Sequence, residues 1–186
     1  MLTIVPTGTA NLASIKAAFG VAEIAECSEQ IETADRVLLP GVGSFGAAMA
    51  RLREDGFDKP LAARIAAGRP TLAICVGLQI MFEASEESEG RGLGVLPGTV
   101  TRLVAARVPQ LGWNRIGAGC EMVEPGYAYF ANSYHAPAPE GWQVATVDYD
   151  GPIVAAIQRD KVLGCQFHPE LSGVWGQALI GRWVAC

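Results

Sequence analysis

Half of the 186 residues are hydrophobic and 18% are charged, so a disordered chain is excluded and the length suits one α/β domain with a buried core. The formal net charge is −5 and no basic run occurs, which argues against nucleic acid as a partner. Because the sequence also has no secretory leader and no apolar run long enough to span a membrane, we expect a soluble, cytoplasmic protein.

The first half of the sequence alternates short apolar runs with amphipathic segments. Strands are predicted at residues 2–5, 21–25, 36–39 and 71–75. Helices are predicted from a cap at Asn11 to residue 19, after a cap at Ser44, over residues 60–67 and over residues 78–84. Strands that alternate with helices are typical of an open, mostly parallel, Rossmann-like sheet with helices on both faces.

The second half is rich in short β-type runs separated by Gly, Pro and Asn. After a turn at residues 94–98, strands are predicted at residues 99–104, 113–116, 128–130, 143–149, 153–157 and 162–168, followed by a closing helix over residues 173–184. The short runs from residue 113 to residue 157 are expected to be antiparallel and to extend or flank the parallel sheet, and residues 162–168 are a last apolar strand. No repeat or linker occurs, so residues 1–186 are expected to form a single domain.

Cys75 lies where a buried strand is expected to meet a helix. Ala73 and Gly77 flank it, and this small-x-nucleophile-x-small spacing is typical of the strained elbow that presents a nucleophile. The start of the 78–84 helix would favour a thiolate. The alternative is a cysteine buried in a core strand. The five cysteines are widely spaced and include no Cys-x-x-Cys pair, so we expect neither disulfides nor a metal or cofactor.

His168 and Glu170 can supply the base and its orienting group that a cysteine nucleophile needs. They end a predicted strand, and residues i and i+2 of an extended chain point to one side. The alternative is a core histidine with a chance acidic neighbour. The 40–43 loop is expected at a neighbouring strand end and could turn a backbone N–H towards an oxyanion, as could the N–H of Val76. An ordinary strand-to-helix turn would explain the same glycines.

Two motifs carry a resemblance to a known family. The sequence Ala-Ile-Cys-Val-Gly-Leu-Gln at 73–79 resembles the nucleophile motif of class I, triad-type glutamine amidotransferases, and Gln-Phe-His-Pro-Glu at 166–170 resembles their paired His and Glu. Further stretches resemble the glutaminase subunit of imidazole glycerol phosphate synthase, namely residues 39–46, 48–49, 108–114, 129–134 and 172–173. The resemblance extends from about Ile4 to Val184.

The resemblance implies hydrolysis of L-glutamine to glutamate and ammonia through a triad of Cys75, His168 and Glu170. The ammonia would pass to a (β/α)8-barrel cyclase subunit, which makes imidazole glycerol phosphate and AICAR in L-histidine biosynthesis, so a heterodimer with hydrolase and lyase activities is expected. The oxyanion positions would be Val42, Gly43 and Val76. The glutamine-binding positions would be Gly41, Gln79, Glu87, Ser133 and Tyr134, and the partner interface would include Trp113 and Asn114.

Some of these roles have plain alternatives. Glu87 lies in an acidic run and could be a solvated acid, and Trp113 could be a core tryptophan. The protein could also be the glutaminase of another synthase, such as that for pyridoxal phosphate or a purine, or a non-catalytic member of the fold that binds partners. The chain departs from the family pattern near its N-terminus. It also departs at Gln110 and Asn132, two positions at which the family commonly has histidine. These departures concern the expected partner interface.

Overall fold

Twelve strands are found in the part of the protein that the computed structural model describes, residues 1–8 and 12–186. They are β1 Leu2–Ile4, β2 Glu23–Ile24, β3 Arg36–Leu39, β4 Thr71–Ile74, β5 Phe82–Ser85, β6 Leu96–Arg102, β7 Gln110–Ile116, β8 Gly126–Asn132, β9 Tyr134–His135, β10 Gln143–Asp148, β11 Pro152–Arg159 and β12 Val162–Cys165.

The described helices are short and connect or follow these strands. They are α1 Leu12–Phe19, α2 Ser28–Thr33, α3 Phe45–Glu54, α4 Asp58–Ala66, α5 Val76–Gln79 and α6 Gly173–Ala185, with a single 3-10 turn over Pro169–Leu171. In these described residues no helix is long and apolar enough to cross a membrane.

Nine of the described strands form one sheet in the order β2-β1-β3-β4-β12-β11-β10-β7-β8. The pairs from β2 to β12 are parallel, and those from β12 to β8 are antiparallel. β5, β6 and β9 form a smaller sheet beside it. The predicted α/β fold, a Rossmann-like sheet extended by antiparallel strands, is confirmed.

Burial explains why the two halves of the large sheet read differently in the sequence. Every residue of β1, β4 and β12 is buried, as expected for parallel strands covered on both faces. In β7, by contrast, the residues between its buried ends are exposed or half-buried. β7, near the antiparallel edge of the sheet, therefore turns one face away from the core.

The helix predicted over residues 78–84 is wrong. The structure has the four-residue α5, and the chain then leaves as β5, which pairs with β6. Ile80, Met81 and Phe82 are completely buried, so this run is apolar on every side. An apolar run of that kind gives no periodicity that separates a helix from a strand.

Two further predicted boundaries are also wrong. β6 begins at Leu96, inside the segment predicted as a turn, because Leu96 pairs with Phe82. β12 ends at Cys165 instead of residue 168, since the chain enters the 3-10 turn at Pro169. Proline at the first position of such a turn needs no N–H partner and has the required φ.

The remaining differences concern element ends. The helix predicted from Pro60 begins at Asp58, β7 and β8 are longer than predicted, and α2 and β9 were not predicted. The cap at Ser44 is confirmed, because its side chain accepts a hydrogen bond from the Ala47 N–H. The predicted cap at Asn11 lies outside the described residues.

Gly77 is required where α5 passes the end of β3. A Cβ on Gly77 would lie 2.2 Å from the Leu39 carbonyl oxygen, far inside van der Waals contact. We predict that Gly77→Ala destabilises the protein by about 1–3 kcal/mol or more, because neither backbone can move away. Thermal and urea unfolding measure the change.

Gly181→Ala is the matched control. Gly181 lies in α6, and beyond the neighbouring backbone of its own helix no atom lies within 4 Å of an added Cβ, so alanine should be neutral or stabilise by up to about 1 kcal/mol. Equal stability of the Gly77→Ala variant and the unsubstituted protein would contradict the close backbone contact.

Candidate active site

Cys75 lies at the junction of β4 and α5 in a backbone conformation that side-chain-bearing residues rarely adopt, with φ 52° and ψ −110°. Its N–H donates to the Cys165 carbonyl at 2.7 Å, and its carbonyl accepts from the Gln79 N–H at 3.2 Å. Strain of this kind persists where surrounding contacts fix the backbone and is concentrated at functional sites. The turn predicted from the sequence is therefore present.

The predicted reason for a thiolate at Cys75 needs correction. α5 has only four residues, so it lacks the aligned peptide units that give a longer helix its dipole. Stabilisation of a thiolate must come mainly from the side chains that surround the sulfur.

His168 and Glu170 are brought together by the 3-10 turn, and the expected extended i, i+2 arrangement is not what joins them. His168 Nδ1 and Glu170 Oε1 are 2.9 Å apart, and both side chains are buried. Ser172 fixes the turn, since its hydroxyl donates to the His168 carbonyl and accepts from the Tyr129 N–H. This explains the serine that follows the His-Pro-Glu motif.

The pKa of His168 reflects opposing influences. Burial alone would lower it, but hydrogen bonds with Cys75 and Glu170, together with the negative charges of both groups, outweigh burial and raise the pKa to about 10. Glu170 contacts Nδ1, which leaves Nε2 as the nitrogen that faces Cys75. At neutral pH the arrangement therefore favours a charged imidazolium beside the sulfur.

A cavity of about 330 Å³ opens in front of Cys75 and His168. Its lining includes most of the residues predicted for catalysis, oxyanion stabilisation or substrate binding, namely Val42, Gly43, Cys75, Val76, Gln79, Glu87, Ser133, Tyr134 and His168. Ala131 and Asn132, which were not predicted as site residues, complete it. The volume is within the range of small-molecule sites.

Glu87 is half-buried in the structure. Its Oε2 accepts a 2.6 Å hydrogen bond from the N–H of Phe45, the first residue of α3. The carboxylate therefore lines the cavity while it holds the helix that follows the 40–43 loop. A plain solvated acid does not describe this position.

The 40–43 loop contacts the elbow through its backbone. A Cβ on Gly41 would lie 2.3 Å from the Gly77 nitrogen, and Gly43 has a φ of 97° that favours glycine. The Val76 N–H, predicted as an oxyanion donor, donates to the Gly41 carbonyl at 3.4 Å. For this N–H to face a substrate oxygen, the Gly41 carbonyl has to turn away.

Gln166 belongs to the motif that contains His168, but the sequence predicted no role for it. It is completely buried, and its Nε2 lies 3.6 Å from Cys75 Sγ while its Oε1 accepts from Gln79 Nε2 at 3.0 Å. Gln166 lies two residues before His168, and both side chains face Cys75. This spacing could have predicted that Gln166 belongs to the site.

The residues predicted for the partner interface lie outside the cavity. Trp113 is 54% exposed and stacks edge-to-face on Tyr129, so the alternative of a core tryptophan is wrong. Asn114 accepts from Gln110 Nε2 at 3.1 Å. Gln110 and Asn132, the two departures from the family pattern, are buried and opposite each other across β7 and β8.

The arrangement suits acyl transfer by a thiol. Beside the cavity, the cysteine contacts the imidazole and the imidazole contacts the carboxylate. This is the spatial order of a nucleophile, its base and the group that orients the base. In the described part of the chain, no group of three or more His, Cys, Asp or Glu residues is placed to hold a metal ion.

Comparison with protein families agrees with this geometry. The family described as glutamine amidotransferase class-I matches residues 9–181. The chain belongs to the class-I glutamine amidotransferases. The family resemblance inferred from the two motifs is thereby confirmed, and the protein is an enzyme of this class.

Relatives of this amidotransferase include proteins named imidazole glycerol phosphate synthase subunit HisH. The one from Desulfitobacterium hafniense strain DSM 10664 / DCB-2 is 39% identical, with 99% of this chain and 95% of the relative covered. The one from Methanothermobacter thermautotrophicus is 40% identical, with 99% and 98% covered, and the one from Thermococcus kodakarensis is 40% identical, with 97% of each chain covered.

Solved structures show the same fold at lower sequence identity. A crystal structure of a glutamine amidotransferase has a TM-score of 0.78 at 20% identity and covers 98% of this chain and 97% of its own. A chain in the structure of PurLQS from Thermotoga maritima has a TM-score of 0.73 at 15% identity, with 99% and 97% covered.

The two histidines of the amidotransferase give a direct test of the His168 environment. We predict that the His168 ring titrates near pH 10 in an NMR titration, whereas burial holds the pKa of His135 below its ordinary 6.5. Glu170→Gln should lower the pKa of His168. If both rings titrate near 6.5 in the folded protein, the pairing of His168 with Cys75 and Glu170 is wrong.

The raised pKa also sets the sign of a stability effect. The folded state holds the His168 proton more tightly than the unfolded state, whose pKa is near 6.5. This group's stabilisation is therefore complete below pH 6.5 and is lost as the pH rises through about 10.

Proposed function

We propose that this amidotransferase is the glutaminase subunit of an imidazole glycerol phosphate synthase, which hydrolyses L-glutamine and passes the ammonia to a cyclase partner in L-histidine biosynthesis. The observation that carries the proposal is the buried pairing of Cys75, His168 and Glu170 beside a cavity of about 330 Å³. The relatives near 40% identity are named HisH and match this chain over almost their full length, which favours this synthase over others.

In the first half of the reaction, the Cys75 thiolate attacks the side-chain carbonyl carbon of glutamine. The C–S bond forms, and the carbonyl electrons move to oxygen and give a tetrahedral oxyanion. When this collapses, the C–N bond breaks, the His168 imidazolium gives its proton to the departing nitrogen, and ammonia leaves. A glutamyl thioester remains on Cys75.

In the second half, neutral His168 takes a proton from a water molecule that attacks the thioester. Collapse of the second tetrahedral intermediate releases glutamate and restores the thiolate beside the imidazolium. Glu170, fixed 2.9 Å from Nδ1, keeps Nε2 directed at the reacting atoms through both halves.

Control of the reaction is proposed to lie in the 40–43 loop. Its Gly41 carbonyl accepts from the Val76 N–H, so this donor serves the oxyanion only after the loop rearranges. Removal of one oxyanion donor costs roughly a hundredfold to a thousandfold in rate. A partner that turns the loop when its own site is occupied would thus switch the glutaminase on.

The partner is proposed to dock on the outward face of β7 and β8, beside the mouth of the cavity. Apolar side chains on this face, in the 3-10 turn and at the start of α6 are exposed, namely Leu111, Trp113, Tyr127, Leu171 and Val174. Exposed aromatic and aliphatic clusters of this kind are typical of protein–protein interfaces. Ala131, on the same face of β8, lines the cavity, so ammonia leaves it next to the docked partner.

Glutaminase activity provides the first test of this function. The purified subunit should release glutamate weakly or not at all, and the cognate barrel subunit with its nucleotide substrate should raise that rate strongly. Cys75→Ser should abolish it, because a serine hydroxyl beside His168 is not ionised as a thiol is. Glutamate release that the barrel subunit leaves unchanged would contradict the proposed synthase.

Trp113→Ala tests the docking face. We expect it to weaken binding of the barrel subunit by roughly thirtyfold or more, the loss typical of an aromatic hot spot of about 2 kcal/mol, as measured by isothermal titration calorimetry. Val104→Ala, at a 93% exposed apolar side chain after β6, is the control and should bind normally. Unchanged affinity of Trp113→Ala would place the partner elsewhere.

A further inference from the structure

A buried chain of amide groups leads from the backbone of Tyr134 to the sulfur of Cys75. Gln79 Nε2 donates to the Tyr134 carbonyl and to Gln166 Oε1, each at 3.0 Å. Gln166 Nε2 in turn lies 3.6 Å from Cys75 Sγ. Gln79 and Gln166 are 3% and 0% exposed, so solvent does not compete for these contacts.

The direction of this chain is fixed by chemistry. A backbone carbonyl can only accept, so the amide nitrogen of Gln79 must face Tyr134. The second hydrogen of that nitrogen is directed at Gln166, which must present its oxygen and therefore turns its own NH2 to Cys75. The Tyr134 carbonyl thus determines that the sulfur receives a donor.

The same chain fixes which atom Gln79 shows to the cavity. Both hydrogens of its amide nitrogen are used within the chain, which leaves Oε1 for the cavity that Gln79 lines. An acceptor at this point matches the NH2 of a carboxamide and repels a carboxylate oxygen. Gln79 in this orientation therefore favours glutamine over the product glutamate.

We propose that Gln166 is a positioning residue of the glutaminase, which donates to the Cys75 thiolate and holds Gln79 with its carbonyl oxygen towards the substrate carboxamide. The Cys75 part stands on the structure alone, and the Gln79 part rests on the proposed function. A neutral donor to a charged sulfur is a strong hydrogen bond, because the acceptor is ionised. Loss of Gln166 should therefore affect both sulfur reactivity and substrate binding.

Gln166→Met tests both parts, because methionine has a similar volume and no amide. For the sulfur, mass spectrometry follows iodoacetamide alkylation of Cys75 in the free subunit as the pH is raised. The pH of half-maximal alkylation should rise by about one unit, the effect of losing a hydrogen bond to a charged group. Gln166→Asn, which keeps the amide but shortens its reach, should show the same rise.

Substrate binding is measured as the KM for glutamine in the complex with the barrel subunit and its nucleotide substrate. Gln166→Met should raise KM about threefold to tenfold, the factor for one neutral hydrogen bond. If Gln166 acts through Gln79, adding Gln166→Met to Gln79→Met should raise KM no further, whereas independent residues would give the product of the two effects.

Gln158→Met is the matched control. Gln158, in β11, is also buried at 2% exposure, but its Oε1 accepts from the Met122 N–H and it does not line the cavity. It should lose stability without any change in alkylation midpoint or KM. If the alkylation midpoints of Gln166→Met and Gln166→Asn equal that of the unsubstituted protein, the proposal is overturned. If both midpoints rise as predicted but the unsubstituted protein does not turn over glutamine in the complex, only the proposed function is overturned.

Discussion

The backbone contact between the Cys75 elbow and the end of β3 is the constraint on which the rest of the site depends. Gly77 passes the Leu39 carbonyl so closely that no side chain fits, and Gly41 packs against the Gly77 nitrogen in the same way. The nucleophile turn and the 40–43 loop are therefore not separate features. Any movement of the loop changes which group accepts from the Val76 N–H, so the environment of this N–H and the conformation of the loop are coupled.

Side chains beside the Cys75 sulfur supply the stabilisation of a thiolate that the four-residue α5 does not give. His168, with a pKa of about 10, places a positive charge there, and Gln166 places a neutral donor. Both come from the segment that follows β12, the strand that pairs with β4 directly beneath Cys75. Parallel pairing of these two strands brings Cys75, His168 and Gln166 to one edge of the sheet, as expected where parallel strands end.

The sequence was sufficient for the architecture and for the cysteine, histidine and glutamate that the fold brings together. Cys75, His168 and Glu170 could be predicted because small residues around a cysteine, and a proline and an acid after a histidine, together form a specific pattern. The alternation of strands with helices predicted the parallel half of the sheet, and this was confirmed. What the sequence left open was set by tertiary packing. The apolar run from Ile80 to Phe82 has no periodicity, so the sequence could not show that α5 ends before it and that Phe82 begins a strand paired with β6.

Contacts between distant segments were beyond sequence reasoning for the same reason. Glu87 reads as one acid among several, and only the fold brings its carboxylate 2.6 Å from the Phe45 N–H. The donation from Val76 to Gly41 likewise depends on two loops more than thirty residues apart, a separation at which local propensity carries no information. The proposed control of the site depends on contacts of this kind.

The central claim is that Cys75 is the nucleophile that carries the glutamyl group. The most direct measurement is mass spectrometry of the amidotransferase, quenched in acid during turnover of glutamine with the barrel subunit and its nucleotide substrate. The account predicts an adduct of glutamine minus ammonia on the peptide that contains Cys75. Turnover without an adduct on that peptide, or with the adduct on another cysteine, would contradict it.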